Sequence, residues 1–381
     1  MIEAGLDRRA QLLEVAAELF AERGFAAVGI DDIGAGVGLT GPALYGYFPN
    51  KAEILADIVS DSIERLKQAA AYASEMTGFD APVGHVIRQA VEVALDRPAR
   101  LATYLRERQR VLDDSGTTVA NAESAMRQAW IEVLRTLHPA LSDEELRMRQ
   151  AAAIGALSAG AYEGTPSNRR TPMLMRAVIA VVLSPNSPSH GPPVNHAWRP
   201  APSRRDHIMT TALRLFRERG YDGVGVDEIA AKASLSGATL YHYFNSKAEI
   251  LVDAYDRVAE RVMASAAESL ENATSASDAL TRLARSYAWA IAHNVDLIVV
   301  TSREDSALPA AERDRLARRR RTLFEAWIGV LSEVRPELSA VEARLLIRMV
   351  FALLRHAAMA APRDRDSSGE AANLAVALCM S

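Results

Sequence analysis

Apolar residues recur every three or four positions along most of this 381-residue chain, and no stretch alternates apolar with polar as a half-buried strand would. The pattern predicts an all-α protein. Ile208, Ala212, Leu215 and Phe216 form one stripe of a helix expected from Asp206 to Arg219, with Gly220 placed to end it. A second helix is expected from Asp227, where two carboxylates suit the positive end of the helix dipole, to Ala233. Ser236 is a cap for a third, Gly237 to Tyr243. Leu240 and Phe244 are four apart and turn inward together, which leaves Tyr241 and His242 facing out. Ser246-Lys247-Ala248-Glu249 reads as a capping box that opens a fourth helix. Further along, Pro98, Pro139, Pro166, Pro309 and Pro336 punctuate long helical stretches.

The same pattern occurs twice. Arg9 to Asp57 aligns on Arg205 to Asp253 at a constant offset of 196, without a gap, and about half of the positions are identical. Arg23/Arg219, Gly24/Gly220, Asp31/Asp227, Gly41/Gly237, Leu44/Leu240, Tyr45/Tyr241, Tyr47/Tyr243, Phe48/Phe244, Lys51/Lys247 and Glu53/Glu249 are among them. Later the offset becomes 197: Arg106-Glu107 matches Arg303-Glu304, Trp130 matches Trp327 and Leu134 matches Leu331. Between the copies, Pro185 to Ser203 carries six prolines and no apolar periodicity, which suits a stiff, extended linker able to span roughly 60 Å. The expected division is therefore residues 1–50 and 51–184, a linker at 185–203, then 204–246 and 247–381.

Two short helices joined by a three- or four-residue turn make a helix-turn-helix, whose second helix fits the DNA major groove. A lysine at the first position of the fourth helix stands at the unfavourable end of the dipole, and it does so in both copies, as Lys51 and Lys247. A phosphate held jointly by the helix start and the ammonium would account for it. The motif Leu-Tyr-x-Tyr-Phe-x-x-Lys-x-Glu, at Leu44 to Glu53 and again at Leu240 to Glu249, resembles the TetR family of bacterial transcriptional repressors. That resemblance implies two tandem TetR-like repeats, each a helix-turn-helix reader followed by a helical ligand-binding and dimerising bundle. It places Thr40, Gly41, Pro42, Tyr45, Tyr47 and Lys51, and in the second copy Ser236, Gly237, Thr239, Tyr241, His242, Tyr243 and Lys247, at operator DNA, with Arg204 and Arg205 beside them. The last two helices of each repeat would form the interface of an intramolecular pseudo-dimer, with further homodimerisation left open.

Charge separates the copies. Residues 1–60 hold four basic and nine acidic side chains, a net of −5, whereas residues 201–257 hold eight of each. Phosphate neutralisation dominates DNA affinity, so the second reader is expected to bind more strongly. His242 in the second groove helix is replaced by Gly46 in the first, which also carries Pro42. Gly29 and Gly225 stand where a capping Ser or Thr is common in the family.

Enzyme constellations do not emerge: there is no Gly-rich phosphate loop, no His-x-x-x-His pair and no triad spacing. No cofactor and no metal site is expected, and the single cysteine, Cys379, excludes a disulfide framework. No apolar run reaches the length of a membrane span, so a cytoplasmic protein with no membrane partner is expected. Each bundle is expected to hold a pocket for a hydrophobic or amphipathic effector, with Tyr104, Trp130, Tyr162, Trp289 and Trp327 as lining candidates and Arg106 or Arg303 as anion partners. The sequence thus describes a ligand-responsive DNA-binding regulator, read as a repressor, that imitates a dimer with one chain. A second reading stays open: a ligand- or protein-binding module with one or both readers degenerate.

Overall fold

The computed structural model describes residues 2–74, 81–114, 117–161, 167–185, 203–303, 308–361 and 366–381. Most of the expected linker, and Tyr162, lie outside the described residues. Among the described residues there are helices and turns and no strand. The chain divides into two compact units: Met1–Ser184 with Arg348–Ala361 and Ser381, and Pro185–Ile347 with Pro362–Met380.

The first unit opens with α1 (Ile2–Arg23), α2 (Ile30–Gly36) and α3 (Gly41–Leu44). Next come α4 (Lys51–Ser74), α5 (Ala81–Asp96), α6 (Pro98–Asp114), α7 (Thr117–Leu137), α8 (Asp143–Ala161) and α9 (Ser167–Leu183). In the second unit α10 (Arg204–Arg219), α11 (Val226–Lys232) and α12 (Gly237–Tyr241) repeat the opening. They lead into α13 (Lys247–Glu271), α14 (Ala276–Ala292), α15 (Val295–Arg303), α16 (Ala310–Val334), α17 (Ala340–Ala360) and α18 (Ser368–Cys379).

Helix ends follow local chemistry. Gly24 and Gly220 terminate α1 and α10 with φ of 82° and 74°, a conformation that costs an L side chain but not glycine. α10 begins two residues before the expected Asp206, because Ser203 caps it: Ser203 Oγ accepts from the Asp206 N–H while the Asp206 carboxylate accepts from the Ser203 N–H. The turn between α2 and α3 is fixed by a left-handed residue after the helix, Gly38 (φ 70°), with the Leu39 N–H reaching back to the Gly34 carbonyl at 2.8 Å. Its counterpart is Ser234 (φ 58°), with Leu235 N–H on the Ala230 carbonyl at 2.8 Å. The third helices are shorter than expected: after Leu44 and Tyr241 the chain continues as a turn.

In the second reader, Ile208, Ala212, Leu215, Phe216, Ile229, Leu240 and Phe244 form one buried cluster with Ile250 and Leu251 of α13. The long helices below pack through Leu, Ala and the buried tryptophans Trp130 and Trp327. At the foot of the first bundle, buried Arg149 of α8 gathers the end of α9. Its guanidinium donates to the carbonyls of Val182 (3.2 Å) and Ser184 (2.5 Å) and lies 3.0 Å from the His138 ring nitrogen. Those carbonyls are the ones α9 cannot satisfy for itself. Within the first unit, the 348–361 stretch of α17 lies against α8. A Cβ on Gly155 would stand 2.5 Å from the His356 ring, and one on Gly160 would stand 2.9 Å from Met349 Sδ. Small residues at these positions permit the close approach.

Candidate nucleic-acid interface

Both readers present the same outward face. Tyr45 and Tyr241 stand 56 % and 54 % exposed at the ends of the third helices, with Pro42, Gly46 and His242 also exposed. Thr40, Ser236 and Arg204 are exposed at helix starts. Ser236 Oγ accepts the Thr239 N–H at 3.1 Å, and the two hydroxyls lie 2.8 Å apart, so the start of α12 is held rigid where it would meet a groove.

Several residues expected at DNA instead serve the reader's interior. Lys51 Nζ donates to the carbonyls of Phe25 (2.8 Å) and Val28 (2.7 Å) and sits 4.2 Å over the Phe25 ring. Lys247 repeats this on Tyr221 (2.8 Å) and Val224 (3.3 Å), 4.2 Å over the Tyr221 ring. The ammonium folds back to tie the helix start to the turn that follows the first helix, rather than standing free for a phosphate. Burial, then Arg110, pushes the Lys51 pKa below the usual lysine value, with Glu107 and Asp32 opposing.

Arg205 is likewise engaged: its Nη1 donates to the Tyr243 carbonyl at 2.5 Å, its Nε reaches Asp253 at 3.1 Å, and its guanidinium lies 4.0 Å over the Phe244 ring. Arg9, which the sequence did not single out, does the same on the Tyr47 carbonyl (2.7 Å), Asp57 and the Phe48 ring (4.0 Å). Tyr47 and Tyr243 are half-buried. Gly41 is buried, and a Cβ there would lie 2.0 Å from the Asp31 carboxylate; at Gly237 the distance to Asp227 would be 2.6 Å. The identical Asp–Gly pairs therefore seat the groove helix on the one before it. Gly29, lacking a side chain to cap with, has its N–H taken by the Asp32 carboxylate at 2.7 Å.

The first reader is joined to its bundle by α6. Thr103 Oγ1 donates to the Ala17 carbonyl at 2.8 Å, and Arg106 donates to the Ala21 carbonyl at 3.1 Å. The buried Glu107 carboxylate accepts the Phe25 N–H at 3.1 Å. Arg106 is thus spent on the joint and is not an anion partner in a pocket. In the second unit Arg217 of α10 meets Asp296 of α15 at 2.5 Å, and Leu297 and Val300 enter the reader's core.

Of the expected pocket residues, Tyr104 lines a cavity. That cavity, of about 240 Å³, lies in the first unit among α6, α7, α8 and the 348–361 stretch. Trp130 is core instead, its Nε1 donating to the Leu66 carbonyl at 3.0 Å. Trp327 is buried edge-on to Tyr287, with ring centroids 6.1 Å apart. Trp289 stacks on His293, with ring centroids 4.1 Å apart, and lines neither that cavity nor the one in the second unit. The Arg303 side chain lies outside the described residues. A smaller cavity of about 90 Å³ in the second unit is mostly apolar, lined by Tyr255, Val262, Tyr287 and Leu323 with Arg319 and Arg320.

Two short helices joined by a fixed turn, a rigidly capped groove helix with an outward tyrosine, and a helical bundle beneath define a helix-turn-helix DNA-binding protein. The family model "Bacterial regulatory proteins, tetR family" matches residues 12–58 and again 208–254. The chain carries the DNA-reading unit of the TetR family twice, in tandem. It is similar to the transcriptional repressor KstR2 of Mycolicibacterium smegmatis, 27 % identical over 152 residues, 40 % of this chain and 69 % of the relative. The transcriptional activator FasR of the same organism is 32 % identical over 75 residues, 20 % of this chain and 34 % of FasR. The Staphylococcus aureus regulator IcaR is 44 % identical over 46 residues, 12 % of this chain and 25 % of IcaR. The chain thus spans about a third or less of the last two relatives. A TetR-family regulator from Bordetella parapertussis is 24 % identical with a TM-score of 0.44, covering 46 % of this chain and 94 % of that one. Among the described residues, no helix is long and apolar enough to cross a membrane.

Proposed function

We propose that this chain is a ligand-responsive repressor that occupies its operator as one molecule, the two repeats acting as an intramolecular pseudo-dimer. The observation that carries the reading is the duplicated reader itself. In each copy an arginine and a lysine are turned inward as braces, and a tyrosine more than half exposed is left on the groove helix. The contact of α8 with residues 348–361 supports the pairing of the repeats. The two readers dock in successive major grooves, roughly 34 Å apart on one face of the duplex. α6 supports the coupling to a ligand. One face lines the cavity through Tyr104, Leu105 and Arg108, while Thr103, Arg106 and Glu107 hold the reader. A ligand that prefers one setting of α6 shifts the reader with it. Because the copies differ in sequence, the operator need not be palindromic.

Binding of the full chain to DNA from upstream of its own gene tests this, with stoichiometry read by mass photometry. One chain per operator is expected, and Tyr45→Ala and Tyr241→Ala should each weaken the complex. Two chains per operator, or no sequence-specific complex, would overturn the reading. The acidic first reader, net −5, favours an unequal division of labour. Tyr241→Ala should therefore cost more affinity than Tyr45→Ala.

A further inference from the structure

The cavity of the first unit differs from that of the second in charge. Arg108, Arg127 and Arg147 all contribute to its wall, with Met126, Ile154 and Met359 supplying apolar surface. The carboxylate nearest to these cations is Glu123, which is fully buried. One of its oxygens, Oε1, carries the whole load: Arg108 Nη1 at 2.6 Å, the Tyr104 hydroxyl at 3.5 Å and Arg127 Nη1 at 3.6 Å. Its Oε2 is buried and makes no hydrogen bond. Among the described residues, two guanidinium groups thus share one carboxylate, an excess of one positive charge beside the cavity. Arg147 adds a second cation, held only loosely by Glu144 at 3.8 Å. Buried or half-buried cations in excess of anions are costly unless something negative joins them.

From this we infer that the first unit's cavity takes a compact amphipathic carboxylate, a short acyl chain ending in an acid, with Arg127 and Arg147 as its charge partners. Arg108 is already held by Glu123 and Tyr104, so it positions the wall rather than reaching for the ligand. The apolar side, with Ile154 of α8 and Met359 of α17, receives the acyl chain. A cavity of about 240 Å³ limits that chain to a few carbons beyond the acid. The second unit's cavity, at about 90 Å³, is largely apolar, and its two arginines are engaged, Arg319 with Asp256 at 3.0 Å and Arg320 5.9 Å over the Tyr255 ring. The inference deepens the effector reading proposed above and rests on it.

The test uses the full chain, with hexanoate, 1-hexanol and inorganic phosphate as probes in isothermal titration and thermal unfolding. Hexanoate should bind and raise the unfolding midpoint, while 1-hexanol at the same concentration should not. In the double variant Arg127→Gln/Arg147→Gln, hexanoate binding should weaken at least roughly tenfold. Both side chains are more than a third exposed, at 37 % and 40 %, so the variant should fold as the parent does. Equal binding of acid and alcohol, no binding of hexanoate, or binding untouched by the double variant would overturn the inference. Phosphate competing as well as hexanoate would overturn the acyl assignment. Operator binding on the same preparations separates the two failures. A chain that binds DNA but ignores hexanoate sinks this inference alone, and one that binds hexanoate but no DNA sinks the repressor reading.

Discussion

Lys247→Met keeps the aliphatic stem of the brace and removes its ammonium. The change strands two carbonyls, those of Tyr221 and Val224, which lie 2.8 Å and 3.3 Å from Nζ, and removes the cation 4.2 Å above the Tyr221 ring. A hydrogen bond from a charged donor contributes about 1.5–3 kcal/mol when well made, and a cation over an aromatic ring about 0.5–1 kcal/mol. The second bond is long and the side chain is half-buried, so the low end applies, about 2 kcal/mol in total. That corresponds to roughly thirtyfold easier local opening of the reader. Hydrogen exchange should show it as lost protection around residues 221–224. Operator affinity measured over a series of salt concentrations decides the rest. A lysine that neutralised a phosphate would lower the slope of log K against log salt by about 0.9 when removed. A brace leaves the slope unchanged and lowers affinity uniformly through the population of folded reader. Unchanged exchange together with a slope reduced by about 0.9 would refute the structural role.

Tyr45→Ala and Tyr241→Ala remove side chains more than half exposed, so stability should stay within about 0.5 kcal/mol while operator affinity falls; equal loss of stability and binding would count against a DNA role. Gly237→Ala drives a methyl to 2.6 Å from the Asp227 carboxylate and should destabilise the second reader by about 1–3 kcal/mol. Adding Asp227→Ala should return part of that loss in a double-mutant cycle, and strict additivity would rule out the contact. His356 is half-buried in the cavity wall, and desolvation there, then Arg355 and Arg108, hold its pKa well below the usual histidine value. The unfolded chain takes up a proton near pH 6.5 that the folded chain refuses, so stability should fall as pH drops below that point. His356→Gln should flatten urea-denaturation stability between pH 7 and 5, and an unchanged slope would refute the burial.

Periodicity made the helices legible, and repetition made the readers legible, because both signals are local. The stripe of Ile208, Ala212, Leu215 and Phe216 is buried as a set, and Gly220 ends its helix with a left-handed turn. What the sequence misassigned are cations whose partners lie far along the chain. Lys51 and Lys247 looked anomalous at a helix start because the dipole argument counts only their own helix. Their acceptors lie 26 and 23 residues earlier. Arg106 looked like an anion partner in a pocket, yet with Glu107 it joins α6 to the end of α1 and the turn after it, across more than eighty residues. The cluster of Tyr104, Arg108, Glu123 and His356 left no trace in spacing at all, since its members come from three helices and from opposite ends of the chain. Ser234 carried a signal that was available: it occupies the left-handed position that the first copy gives to Gly38.

Arg149 and the Ser203–Asp206 box nail down the two ends between which the chain crosses from one repeat to the next. Length added between these two ends falls within Pro185 to Ser203. Each doubling of a tether with added Gly/Ser-rich residues costs only about 0.6 kcal/mol in the encounter of its ends. Insertions there should dilute one reader's local concentration near the other by about threefold per doubling, which makes this segment a dial for avidity that leaves both folded halves untouched.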